Sequence, residues 1–124
     1  VGAAVERSIL ETGKRDGRAY GIVEDYVGHG IGREMHMSPN VPNYAVAGRG
    51  PTIKSACTVA IEPMVTLGDQ ANEVLADQWT VVTLDRSRAS HWEHTVACHA
   101  GGIWVLTAID GGAGRLGTAY APLS

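Results

Sequence analysis

Cysteine is scarce in this chain. Its 124 residues include two, Cys57 and Cys98, and neither stands in a CxxC pair. With no signal peptide in view, the reduced cytoplasm is the simplest home. Long apolar runs are missing too. Nothing approaches the roughly 20 residues of a membrane span, and even "VAIEPMV" is interrupted by Glu62 and Pro63. No membrane association is expected. Charge of one sign is not in excess: the net charge of −3 offers no basic surface for nucleic acid. What is present is ordinary, with 44% hydrophobic and 19% charged residues, enough for one domain with one core. The first residue is Val1, and a helical pattern begins at once, so a start inside a larger protein is expected.

Val1, Ala4, Val5 and Ile9 recur at helical spacing, with Glu6, Arg7 and Glu11 opposite. This predicts a helix over about residues 2–13, stopped at Gly13 or Gly17. "AYGIVEDYVGHGIG" reads as a strand running into a glycine loop, and residues 38–52 as loop rich in Pro, Asn and Gly. "IKSACTVAIEPMVTLG" reads as one strand and "WTVVTLD" as a short one. "HWEHTVAC" and "GIWVLTA" read as a hairpin turning at "HAGG". Residues 109–124 are expected to be a loose tail. The result is one helix followed mainly by antiparallel strands, an α+β pattern.

Chemistry concentrates in "GHGIGREMHMSPNVPNY", residues 28–44. His29 and His36 lie seven positions apart, but Gly28, Gly30, Gly32, Pro39 and Pro42 forbid a helix there. Glycine lets a backbone approach another group closely, and imidazole is the commonest protein metal ligand. His36 suits a second ligand, a proton carrier or a carbonyl-polarising donor. The bland alternative for both is a loop histidine capping backbone groups. Glu62 lies among Val59, Ala60, Ile61, Met64 and Val65, where a carboxylate is costly unless paired or metal-bound. Glu93 alternates with Trp92 and His94 in a strand pattern. Either glutamate, taken alone, suits a solvated strand position. Together with a histidine they suggest a mixed N/O site for Mn, Fe, Co or Zn, and two bridging carboxylates suggest a dinuclear centre. His91, His94 and His99 receive no role.

The ordered set "GHGIGREMHMSPNVPNY", "VAIEPMVT" and "WTVVTLDRSRASHWEHTVAC" resembles the type I methionine aminopeptidases, over residues 1–108. "GHGIG" with a following histidine belongs to the wider group that includes prolidases and Xaa-Pro aminopeptidases. "IEPM", "WTV.T.DRS" and "EHT" narrow it. His29 to Glu62 is 33 positions and Glu62 to Glu93 is 31, which leaves no room for the insertion of the type II enzymes.

The resemblance implies the C-terminal half of a pita-bread fold. It implies two divalent ions in the complete enzyme, with His29, Glu62 and Glu93 as metal ligands and Glu93 bridging. Glu62 would also move a proton from the activated water. His36 would contact the substrate carbonyl. Met35 and Trp79 would line the pocket for the methionine side chain, Met35 standing where the family often has Phe. The implied activity is removal of initiator methionine from nascent proteins, with N-terminal Met peptides as partners and the ribosome nearby. The alternatives are an Xaa-Pro peptidase of the same fold or a non-catalytic binding module. The family's two aspartate ligands, eleven positions apart and upstream of the histidine, have no match among Asp16, Asp25, Asp69, Asp77, Asp85 and Asp110. These residues alone are therefore expected to be inactive and to need the N-terminal half of the domain.

Overall fold

A computed structural model describes residues 1–123. In chain order it contains α1 (Gly2–Asp16), β1 (Gly21–Ile22), β2 (Gly28–Gly30), β3 (Met37–Val41), β4 (Cys57–Ile61), β5 (Met64–Thr66), β6 (Asn72–Val74), β7 (Val81–Thr83), β8 (Ala89–His91), β9 (His94–His99), β10 (Gly102–Val105) and α2 (Ala113–Leu116). A single 3-10 turn, Gly117–Ala119, follows α2. The chain divides into two compact units. The first comprises Val1–Val27, Pro42–Val46 and Pro63–Trp92; the second comprises Gly28–Val41, Ala47–Glu62 and Glu93–Ser124.

In the first unit α1 runs one turn further than its apolar pattern suggests. Gly13 lies inside the helix, where a Cβ would sit 2.6 Å from the Arg18 carbonyl oxygen. The helix stops at Gly17, which adopts φ 65°. The Arg18 amide then reaches back to the Gly13 carbonyl at 2.8 Å and the Gly17 amide to Lys14 at 3.3 Å. That double closure satisfies carbonyls the helix end leaves open. Lys14 and Arg15 in the last turn complement the helix dipole. The Ala45 amide donates to Glu6 at 3.0 Å, tying the loop after Pro42 to the helix. The unit also holds a three-stranded antiparallel sheet in the order β1-β5-β8 and the hairpin β6-β7. Val23, Thr66, Thr83 and Asn43 are its buried side chains.

The second unit is built on a five-stranded antiparallel sheet in the order β10-β9-β4-β2-β3. Val41, Val59, Ala60 and Ala97 are buried here, together with His29. The β9-β10 hairpin forms as expected, with His99 opposite Gly102.

Four expectations change. The segment read as a glycine loop contains β2, and the segment read as loop over 38–52 contains all of β3 but its first residue. "IKSACTVAIEPMVTLG" is two strands rather than one, because proline has no amide to give a ladder and Pro63 ends β4 after Ile61. Residues 109–123 are not a loose tail. Asp110 accepts from the Gly112 and Gly114 amides at 2.9 Å each, which holds its carboxyl below the usual carboxylate range. Tyr120 forms a parallel bridge to Ile103. His99 Nε2 donates to the Ala121 carbonyl at 2.9 Å. Ser124 lies outside the described residues.

Candidate metal centre

His29 is the middle residue of β2, with β3 on one side and β4 on the other. Its flanking glycines explain how three strands come so close. A Cβ on Gly28 would run into the Ala60 carbonyl oxygen of β4, and one on Gly30 into the Ser38 carbonyl oxygen of β3. Any larger residue would push the neighbouring backbones away. The register also shifts between His29 and Gly30, a local irregularity of the kind that re-aims a side chain.

The imidazole is fixed at both ends. Nδ1 lies 2.9 Å from the Gly30 carbonyl oxygen, which can only accept, so Nδ1 carries the proton. Nε2 lies 3.2 Å from Glu62 Oε1. The two side chains are only 10% and 13% exposed. Glu62 follows the last residue of β4, and Glu93 precedes the first residue of β9, strands that pair with Ile61 opposite His94. The end of β4 and the start of β9 therefore deliver two carboxylates to the same end of the pair. One oxygen of Glu62 and one of Glu93 lie within 4.8 Å of each other. The His36 ring centroid is 4.3 Å from that of His29, tilted by 56°. His36 itself is exposed, in the stretch between β2 and β3.

This donor set fits a divalent ion. A nitrogen and an oxygen bound to one ion at about 2.0–2.2 Å each sit about 3 Å apart when adjacent, close to the His29–Glu62 spacing. An imidazole whose other nitrogen donates to a backbone carbonyl is the usual form of a histidine ligand. Two carboxylates bring the negative charge that a hard or borderline cation requires.

Of the residues singled out in the sequence, the structure puts His29 next to His36 and next to Glu62, and Glu62 near Glu93. Met35 and Trp79 are 69% and 87% exposed. Trp79 lies in the turn of the β6-β7 hairpin, in the first unit, where its amide donates to Asp77 at 3.1 Å. His94 and His99 serve the scaffold. His94 Nδ1 meets the Thr107 hydroxyl at 2.8 Å, and His99 secures Ala121. Thr107 was not singled out in the sequence. It also accepts the Thr95 amide at 3.0 Å, two residues after Glu93, and no spacing rule links residues twelve apart across a hairpin.

A buried histidine beside one glutamate, with a second glutamate close to the first at the end of the paired strand, is an arrangement that suits a metallopeptidase. The chain belongs to metallopeptidase family M24, whose sequence profile matches residues 1–100. Within it, the chain is similar to methionine aminopeptidases. It is 51% identical over 107 residues to methionine aminopeptidase 1 of Mycobacterium tuberculosis (strain CDC 1551 / Oshkosh), covering 86% of this chain and 40% of that protein. It is 52% identical over 88 residues to the methionine aminopeptidase of Clostridium acetobutylicum, covering 71% of this chain and 35% of that one. The crystal structure of methionine aminopeptidase from Thermotoga maritima superposes with a TM-score of 0.72 at 43% identity, over 86% of this chain and 41% of that chain. The Rickettsia prowazekii enzyme gives 0.73 at 33% identity, over 86% and 42%. The fold is that of part of a pita-bread metallopeptidase domain. The chain spans about two-fifths of the length of the curated relatives it matches. Membership of the family implies use of a divalent metal. Among the described residues no helix is long and apolar enough to cross a membrane.

Proposed function

We propose that this chain supplies one side of the catalytic centre of a methionine aminopeptidase, which removes the initiator methionine from nascent proteins. The observation that carries this reading is the His29–Glu62 pair, 3.2 Å apart and nearly buried, with the Glu93 carboxylate beside Glu62. His29 Nε2, Glu62 and Glu93 would hold the metal, with Mn, Fe, Co or Zn suited to that mixed donor set. Divalent ions bound there would acidify a water and polarise the substrate carbonyl. The resemblance to type I enzymes supports two ions, with Glu93 bridging them. It assigns two further aspartate ligands, which this chain does not contain at the family spacing. The chain by itself is therefore read as inactive.

The chain's own residues have separable tasks. His29 is held in one tautomer by Gly30, so it enters the centre already oriented. Glu62 has a second oxygen besides the one facing His29, which can take up the proton released when water attacks the carbonyl. His36 is close to His29 yet exposed, so it can reach a bound peptide and donate to the carbonyl oxygen as negative charge grows there. Met35 and Trp79 are assigned to the methionine pocket by resemblance alone. Their exposure here leaves their surfaces available to a substrate side chain. Nascent chains with a free N-terminal methionine are the proposed substrates, which places the activity in the cytoplasm and near the ribosome.

The test is release of free methionine from a Met-Ala-Ser peptide by the complete protein after loading with Mn or Co. Turnover abolished by chelation and restored by the metal is expected. Cleavage of Xaa-Pro peptides in preference to Met-Ala-Ser would replace this reading with a prolidase-type one.

A further inference from the structure

Cys57 and Cys98 face each other across β4 and β9, as direct partners in the antiparallel register. Both are reduced and half-buried. Opposed residues in such a pair have Cα atoms about 4.5–5.5 Å apart, inside the roughly 4.4–6.8 Å range of disulfides. The side chains also interact. Burial pushes the Cys98 thiol up, and Cys57 beside it pushes it further through charge and a hydrogen bond. Cys57 lines a cavity of about 330 Å³ together with Ser38, Pro39, Ile53, Lys54 and Val59. A small reagent therefore has a route to Cys57. The pair sits at one end of the β4-β9 ladder, whereas Glu62 and Glu93 adjoin the other end, beside Ile61 and His94.

We propose that Cys57 and Cys98 are a redox-active dithiol, oxidised by low-molecular-weight disulfides such as oxidised glutathione. Cys57 reacts first, because it borders the cavity. The Cys57 thiolate attacks one sulfur of the reagent, giving a mixed disulfide and releasing one thiolate. The Cys98 thiolate then attacks Cys57 Sγ, forms the Cys57–Cys98 bond and releases the second thiolate. The reagent gains two electrons and the two protons lost by the cysteines. The product cross-links the two strands that carry Glu62 and Glu93, at the end away from them.

The test treats the complete protein with excess oxidised glutathione, quenches with acid, alkylates the remaining thiols and maps the peptides by mass. The expected result is joint loss of alkylation at Cys57 and Cys98. A linked peptide lighter by two hydrogens should appear, and dithiothreitol should reverse it. Cys98→Ser should halt at a glutathione adduct on Cys57. Wild-type protein that keeps both thiols, retains glutathione on Cys57 or links only to a second molecule would overturn the proposal. A second measurement needs no variant. A monoaryl arsenical, which requires two thiols within reach, should protect both cysteines of the wild-type protein from alkylation. Protection of one or neither would overturn the proposal equally.

Discussion

His29 Nε2 and Glu62 Oε1 stand 3.2 Å apart, although β2 and β4 bring only one residue pair, Gly30 and Val59, into register. The contact depends on three local devices: glycines that let the strands close up, a register shift that turns the imidazole, and a proline that ends β4 one residue after Glu62. Each can be removed separately.

Replacing a ligand should cost metal before anything else. His29→Ala and Glu93→Ala in the complete protein should each weaken metal binding by more than the 10–100-fold typical of losing an outer partner. Activity should vanish with the metal. Isothermal titration with Mn checks this, and either variant binding with wild-type affinity and stoichiometry would remove that residue from the centre.

His36→Ala should behave differently. The metal should stay bound, while kcat falls by roughly 10²–10³, the usual cost of one donor to a developing oxyanion. Parallel metal analysis and steady-state kinetics separate the two cases. A change in KM alone, with kcat intact, would mean that His36 contributes only to binding.

Gly30→Ala should destabilise the second unit without touching any ligand atom. Its Cβ would meet the Ser38 carbonyl oxygen, and such overpacking costs about 1–3 kcal/mol. Urea unfolding of the complete protein measures this. An unchanged midpoint would mean that β2 and β3 do not pack as closely as described.

Asp85 gives a pH signature. Hydrogen bonds from the Ser87 amide and then the Asp69 amide, each 2.8 Å, lower its carboxyl from the ordinary 3.8 to about 2. A depressed folded-state value stabilises the fold fully above about 3.8, and this is lost as pH falls towards about 2. Asp85→Asn should therefore be less stable than the parent at neutral pH, with the gap closing across that window. A gap in Tm that stays constant down to about pH 2 would contradict the assignment.

Much of this was legible in the sequence because the informative residues are local punctuation. A helix end at Gly13 or Gly17 and the hairpin between His99 and Gly102 could be read from spacing alone, and the structure selects Gly17. So could the refusal of residues 28–44 to form a helix. The strand character of "GHG" could not. Three residues carry no periodicity, and what makes Gly28 and Gly30 strand residues is their pairing with β3 and β4, whose close approach leaves no room for a side chain. The tail misled for a related reason. Its order comes from Asp110 capping the Gly112 and Gly114 amides and from His99 holding Ala121, polar contacts that leave no apolar pattern. Glu62 drew notice as a carboxylate among apolar residues, and Glu93 as part of an alternating strand pattern. Their position just beyond the strand ends, where they converge, required the pairing of β4 with β9.

The central claim is that His29, Glu62 and Glu93 share a metal centre. The most direct measurement is an anomalous-difference map from crystals of the complete protein loaded with Mn. A peak about 2.0–2.3 Å from His29 Nε2 and from carboxylate oxygens of Glu62 and Glu93 is the predicted result. Fully loaded crystals with no peak there, or with the metal held by residues other than these three, would contradict it.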